Sequence, residues 1–136
     1  MDFLTPNEHE LRALSGDAGS SSAGESSVRV EEASRRLRER GVGCVIAKCG
    51  ERGAYVTDAR GFRHIPAFSV SVVDTTAAGD SFNAGFAVAL SRGEDVSGAA
   101  RFGNAVGALS TTALGAQSAM PTIDRVMEFI RGSAAR

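Results

Sequence analysis

The chain has 136 residues, the size of one ordinary domain, and 43% of them are hydrophobic, enough for a packed core. Its 15 Lys and Arg against 16 Asp and Glu leave a formal net charge of -1, which removes any electrostatic case for nucleic acid or an anionic membrane as partner. No apolar run approaches the roughly 20 residues that span a bilayer, and MDFLTPNEHE does not have the basic-then-apolar pattern of a signal peptide.

Residues 1–4 look like the tail of a strand rather than the start of a domain. Pro6 leads into a short helical stretch over residues 7–14. Residues 15–27, rich in Gly, Ser and Ala, read as a flexible loop. Residues 28–40 have the pattern of an amphipathic helix closed by Gly41. Its Arg35, Arg36, Arg38 and Arg40 are interleaved with Glu31, Glu32 and Glu39, which marks a solvated face rather than an anion site. Residues 42–47 form a continuous apolar run, as in a central strand covered on both faces. Cys44 and Cys49 would point to opposite faces of that strand. No disulfide is expected, and a reduced, cytoplasmic setting fits.

Residues 53–57 and 62–67 flank Asp58-Ala59-Arg60-Gly61 and predict a hairpin. A strand over residues 70–73 is expected to run into a turn of Thr, Ala and Gly. A long helix follows over 78–91, stopped at Arg92-Gly93. The next helix, over 96–111, carries Gly98, Ala99, Gly103, Ala105, Gly107 and Ala108, small enough for close packing. Residues 114–120 read as a loop. Pro121 then precedes Thr122, which caps a last amphipathic helix to about residue 131. Strands alternating with helices predict an α/β layered sheet.

The chemistry concentrates in Asp74-Thr75-Thr76-Ala77-Ala78-Gly79-Asp80-Ser81-Phe82-Asn83-Ala84-Gly85-Phe86. Here a strand is expected to give way to a helix through small residues. Small side chains let the backbone N–H groups of residues 77–80 face a ligand, with the helix dipole behind them, and so form an anion hole. Transferring a phosphoryl group needs such a hole, because charge spreads over its oxygens. Asp80 falls in the first helical turn, where it could take a proton from an attacking hydroxyl. Taken alone, Asp80 is better explained as first-turn helix stabilisation.

The whole segment resembles the C-terminal signature of the ribokinase-like (PfkB) carbohydrate kinase family: an Asp-Thr, two small residues, Gly-Asp, then Phe and a small-residue helix. That resemblance implies a three-layer α/β fold, with a mainly parallel sheet, helices on both faces and a hairpin near residues 53–67. It implies transfer of the ATP γ-phosphoryl to a sugar hydroxyl, with Asp80 as the base and the amides of Ala77, Ala78 and Gly79 as the anion hole. In-line attack without a covalent intermediate is expected, since no nucleophile sits beside a base. No GxxxxGK[ST] occurs, which disfavours a P-loop kinase.

Other segments agree with the resemblance. Asn7-Glu8-His9-Glu10 is similar to the family's Asn-x-x-Glu element, in which Asn7 and Glu10 would organise Mg2+ and phosphate through water; a capped helix with an acidic first turn explains the same residues. Lys48-Cys49-Gly50-Glu51-Arg52-Gly53 resembles the nucleotide-phosphate loop, with Lys48, Gly50 and Gly53 as its positions, although a Gly-x-x-Gly turn is more often a plain hairpin entry. Asn104 falls where the family lines the adenine pocket. Residues 110–119 resemble the loop that, with Asp74 and Thr76, holds a monovalent cation such as K+. Ser110, Ala113, Gly115 and Ala119 would contribute to that shell, and Ala119 lacks a hydroxyl to offer.

The resemblance runs from residue 2 to about 130 but covers only the C-terminal half of the family pattern. Residues 1–136 are therefore expected to be the nucleotide-binding and catalytic part of a PfkB-type sugar kinase. The N-terminal half, which in the family supplies most sugar contacts, a Gly-Gly element and a lid, would be absent. The expected partners are ATP and a sugar or sugar-like substrate, with a homodimer or association with the missing half left open. Two alternatives stand beside this: an ATP-binding module or inactive fragment acting through another chain, and a nucleoside kinase.

Overall fold

The computed structural model describes residues 2–16, 26–112 and 121–134. In chain order they form β1 (Phe3–Leu4), α1 (Glu8–Ser15), α2 (Ser26–Glu39), β2 (Cys44–Lys48), a 3-10 turn (Gly50–Arg52), β3 (Ala54–Asp58), β4 (Gly61–Ile65), α3 (Ala78–Ser91), α4 (Val96–Ser110) and α5 (Ile123–Ala134). They divide into two compact units, Met1–Ile65 and Pro66–Arg136. Of the loop expected over residues 15–27, Ser15 instead ends α1 and residues 26–27 begin α2, while residues 17–25, like the loop expected over 114–120, lie outside the described residues. Among those described, no helix is long and apolar enough to cross a membrane.

In the first unit the sheet order is β1-β2-β3-β4. β1 runs parallel to β2, with Phe3 opposite Cys44, whereas β2–β3 and β3–β4 are antiparallel. The expected mainly parallel sheet is thus corrected to a mixed one. Connection length is the reason. The 17–25 segment and two helices intervene between β1 and β2, long enough for a parallel crossover, but only residues 49–53 separate β2 from β3, and so short a link reverses the chain. Val45, Ala47, Cys49 and Tyr55 on one face of the sheet pack with Leu11 of α1 and Val30, Ala33 and Leu37 of α2. β2 is fully buried from Cys44 to Ala47, as its unbroken apolar run requires. Both cysteines are buried and free.

The hairpin turns at Ala59-Arg60. Gly61 follows at φ 115, and the Asp58 carboxylate accepts the Arg60 N–H at 2.8 Å. The same carboxylate accepts both Arg63 guanidinium nitrogens, at 2.9 and 3.0 Å. The arginines of α2 are more than a solvated face: Arg40 donates to the Leu14 carbonyl at 2.7 Å, closing the end of α1, and Arg38 donates to the Gly43 carbonyl at 3.3 Å.

In the second unit α3 and α4 pack closely, and glycines make that closeness available. A Cβ on Gly85 would stand 2.7 Å from Val106, and one on Gly103 would stand 2.9 Å from the Phe82 ring and 3.0 Å from its carbonyl. α4 begins with Asp95, whose side chain accepts the Gly98 N–H, and α5 with Thr122, whose hydroxyl accepts the Arg125 N–H at 3.3 Å. Ala105, Val106, Leu109 and Val126 form the core here, bordered by Phe68, Phe102, Phe129 and Ile130. The strand expected over 70–73 does not form. The Val73 and Asp74 N–H groups bond the Thr111 carbonyl, at 2.6 and 3.0 Å, at the end of α4. That carbonyl takes two donors a strand would have spent on a ladder.

Candidate active site

The segment 74–80 makes a tight turn into α3. The Asp74 carboxylate accepts the Thr76 N–H at 2.9 Å and also the Thr76 hydroxyl. Asp and Thr at this spacing form a side-chain turn that fixes the chain direction just before a helix. α3 has no side-chain cap at Ala77, so its first amides are left for other acceptors. Ala78 differs from expectation: its N–H donates to the Thr75 carbonyl at 3.1 Å and closes the turn. The Gly79 and Asp80 amides have no backbone acceptor among the described residues. Asp80 is exposed in the first helical turn, while Ala77 is buried. The turn thus presents a carboxylate and two open amides at the positive end of a 14-residue helix.

The end of α4 braces this turn from two sides. The Thr111 carbonyl holds the residues before it, and Gly107 lies under it, where a Cβ would stand 3.2 Å from the Ala78 carbonyl. Ser110, expected to offer a cation its carbonyl, is buried, with its hydroxyl donating to the Gly107 carbonyl at 2.7 Å. Ala113, Gly115 and Ala119 lie outside the described residues. Asn104, expected beside adenine, donates to the Pro66 carbonyl at 3.1 Å and so tethers the start of this unit.

The first unit holds an open hollow of about 500 Å³ lined by Asn7, Glu8, His9 and residues 48–52. Two expected elements meet here because the Lys48 N–H donates to the Pro6 carbonyl at 2.8 Å, hanging the start of α1 on the end of β2. Asn7 and Glu10 make a reciprocal capping box: the Asn7 side chain accepts the Glu10 N–H at 2.8 Å, and Glu10 Oε1 accepts the Asn7 N–H at 2.9 Å. Gly53, at φ 92 and ψ -142, holds a conformation essentially reserved for glycine. The turn is closed by Cys49 N–H to Gly53 O at 2.8 Å, Arg52 N–H to Cys49 O at 3.1 Å and Gly53 N–H to Gly50 O at 3.0 Å. The Gly50 and Glu51 amides have no backbone acceptor among the described residues. Burial, helped by Glu8, pushes the Cys49 thiol up to about 12, so it is no nucleophile at neutral pH.

Sequence reading passed over Arg52. Its guanidinium pairs with Glu8, and that hydrogen bond holds its proton more tightly than usual. Its position inside a Gly-x-x-Gly loop was the available signal. As for bound groups, the open amides at Gly50, Glu51, Gly79 and Asp80 suit phosphate oxygens. Glu10 has one oxygen committed to the capping box, which suits contact with Mg2+ through water better than direct ligation. Among the described residues no group of three or more His, Cys, Asp or Glu gathers to hold a metal. Asp74 and Thr76 bring a carboxylate and a hydroxyl oxygen together at the start of the turn.

Solved structures resolve the fold. The ribokinase of Thermotoga maritima superposes with a TM-score of 0.85 at 45% identity, over 96% of this chain and 42% of that one. Arabidopsis thaliana ribokinase complexed with ribose and ATP superposes with a TM-score of 0.82 at 30% identity, over 94% and 40%. The chain therefore has the ribokinase-like α/β fold. A family model described as pfkB family carbohydrate kinase matches residues 1–123, and the chain belongs to that family. Haemophilus influenzae ribokinase is 38% identical over 130 residues, 96% of this chain and 41% of the relative. The chain spans about two-fifths of the length of the curated relatives it matches.

Proposed function

We propose that this chain is the nucleotide-binding and base-supplying part of a kinase that transfers the γ-phosphoryl of ATP to a hydroxyl of a sugar. The observation that carries the reading is the exposed Asp80 carboxylate in the same helical turn as the open Gly79 and Asp80 amides. Asp80 takes the proton of the acceptor hydroxyl as its oxygen attacks the γ-phosphorus and ADP leaves. The two amides and the α3 dipole face the charge that develops on the phosphoryl oxygens. Of the expected donors Ala77, Ala78 and Gly79, the Ala78 amide is spent on the turn, so this reading draws the anion hole on the Gly79 and Asp80 amides.

The Gly50 and Glu51 amides are a second set of donors for ATP phosphates. Asn7 and Glu10 would hold Mg2+ through water, and the ion would supply charge neutralisation of the phosphates. Asp74, Thr76 and the segment 110–119 would hold K+, which would stiffen the turn that aims the amides. Family membership and ribokinase relatives support ribose-like sugars as acceptors.

The test joins this chain to the N-terminal part that its relatives carry and compares ADP formation by wild type and Asp80→Asn on ribose, deoxyribose and nucleosides. The amide is nearly isosteric and sits at an exposed site, so folding and ATP affinity should be retained. Turnover should fall about 10²–10⁴-fold. Undiminished turnover by the variant would overturn the assignment of the base.

A further inference from the structure

The hollow of the first unit is lined by two segments far apart in sequence, Asn7–His9 and Lys48–Arg52. The second, with Gly53 after it, is pliable by composition. Gly50 stands at φ 57 and Gly53 at φ 92, and its three internal hydrogen bonds fix its curl but not its position against α1. The Lys48 N–H to Pro6 carbonyl bond hangs α1 on the end of β2 just before the turn, and two further contacts reach the turn itself. The ring Nε2 of His64, on β4, lies 2.6 Å from the Arg52 carbonyl. A carbonyl only accepts, so Nε2 carries the proton and donates. The ring is stacked on Tyr55, with centroids 4.7 Å apart, directly across the β3–β4 ladder. The donor is therefore seated on the rigid hairpin. The Arg52 side chain reaches the carboxylate of Glu8, the first residue of α1. Both partners of that pair are about one-third exposed, at 35% each, a setting in which an ion pair adds little to stability. Its consequence is positional.

We infer that Arg52 is a positioning residue that clamps the Gly50–Gly53 turn to the N-terminus of α1, with His64 holding the Arg52 backbone. The clamp spaces the open Gly50 and Glu51 amides against the Asn7–Glu10 element. It rests on the reading of these amides as phosphate donors. Arg52 acts through the turn: one of its guanidinium donors goes to Glu8, and the comparison with Glu8→Gln separates this role from a direct contact with phosphate.

The experiment uses this chain as it is. Amide hydrogen exchange is measured for wild type, Arg52→Ala, Glu8→Gln, their double variant, and the exchanged pair Glu8→Arg with Arg52→Glu. The same proteins are titrated with Mg-ATP by thermal shift. Exchange at the hydrogen-bonded Arg52 and Gly53 amides should speed up about fivefold in each single variant, the scale of a part-exposed ion pair. It should speed up no further in the double variant, as expected for two members of one contact, and the exchanged pair should recover part of the protection. His64→Ala should loosen residues 50–53 and leave the first turn of α1 unchanged. Mg-ATP affinity should fall by a similar factor in Arg52→Ala and Glu8→Gln alike. Unchanged exchange in the single variants, or additive effects in the double variant, would overturn the clamp. So would a loss of affinity in Arg52→Ala that Glu8→Gln does not share, since Arg52 would then be touching phosphate itself. A wild type that binds no Mg-ATP sinks the phosphate-donor reading instead, while the exchange measurements still decide the clamp.

Discussion

Asp58 shows how one carboxylate can serve several demands. It is buried at 7% exposure, ends β3, accepts the Arg60 N–H that shapes the hairpin turn, and takes both Arg63 nitrogens. The hydrogen bonds from Arg63, and then from the Arg60 backbone, hold its carboxyl below the ordinary value of 3.8. A depressed folded value means that the unfolded chain binds the proton more readily. The stabilisation is therefore complete above the ordinary aspartate range and is lost as the pH falls through the lower folded value. Asp58→Asn should cost about 1–3 kcal/mol at neutral pH, the worth of hydrogen bonds to a charged group. The deficit should shrink as the pH falls below about 4, where the wild type loses the same charge. Urea melts of both proteins from pH 7 to pH 3 measure it; a gap independent of pH would mean that the ion pair contributes nothing and only turn geometry matters.

Asn7 and Asp80 carry a different lesson at the same scale. Both could be read from sequence as helix-start residues or as chemical groups. The capping box shows that Asn7 does the structural task, and such a task does not remove it from a water-mediated metal shell. Asp80 accepts no capping bond among those at the start of α3, which leaves its carboxylate for chemistry.

At the scale of elements, the α3–α4 pair depends on the absence of side chains. A Cβ at Gly103 would meet the Phe82 ring at 2.9 Å and the Phe82 carbonyl at 3.0 Å, so helix backbone must move to admit it. Gly132, inside α5, would meet nothing within 4 Å. Gly103→Ala should therefore destabilise by about 1–3 kcal/mol through overpacking, whereas Gly132→Ala should stabilise by roughly 0.5–1 kcal/mol through helix propensity. Thermal melts of the two variants against wild type check both signs at once. Equal shifts would show that the helix contact is loose enough to absorb a methyl group.

At the scale of the molecule, the expected chemistry is divided between two compact units. The open hollow and the Gly50–Gly53 turn belong to the first, Asp80 and its amides to the second. The turn that carries Asp80 is tied at Val73 and Asp74 to Thr111, where the segment proposed to hold K+ begins. An ion there would act on the aim of the amides without touching substrate, and preorganised donors are worth a few kcal/mol in such reactions. Turnover of the chain joined to its relatives' N-terminal part should be higher in K+ than in Na+ or a bulky organic cation at equal ionic strength. Equal rates in all three would reduce the segment to a connector.

What the sequence determined by itself was local. Asn7 and Thr122 announced helix starts, Gly41 and Gly93 stops, and residues 53–67 a hairpin, because caps, left-handed glycines and two-residue turns act within a few residues of themselves. The dense motif at 74–86 was legible too, through its resemblance to the signature of the family to which the chain belongs. Only the tertiary structure decided what depends on distant partners. Residues 70–73 have strand-forming valines, but the Val73 N–H, with that of Asp74, found the Thr111 carbonyl. The sheet is mixed because a five-residue link allows only reversal. The Ala78 amide was spent inside its own turn, and Arg52 acquired its role from Glu8, 44 residues away. A hydrogen-bonding group can be counted from sequence, but which acceptor it reaches is settled by the competition among all groups the fold brings near it.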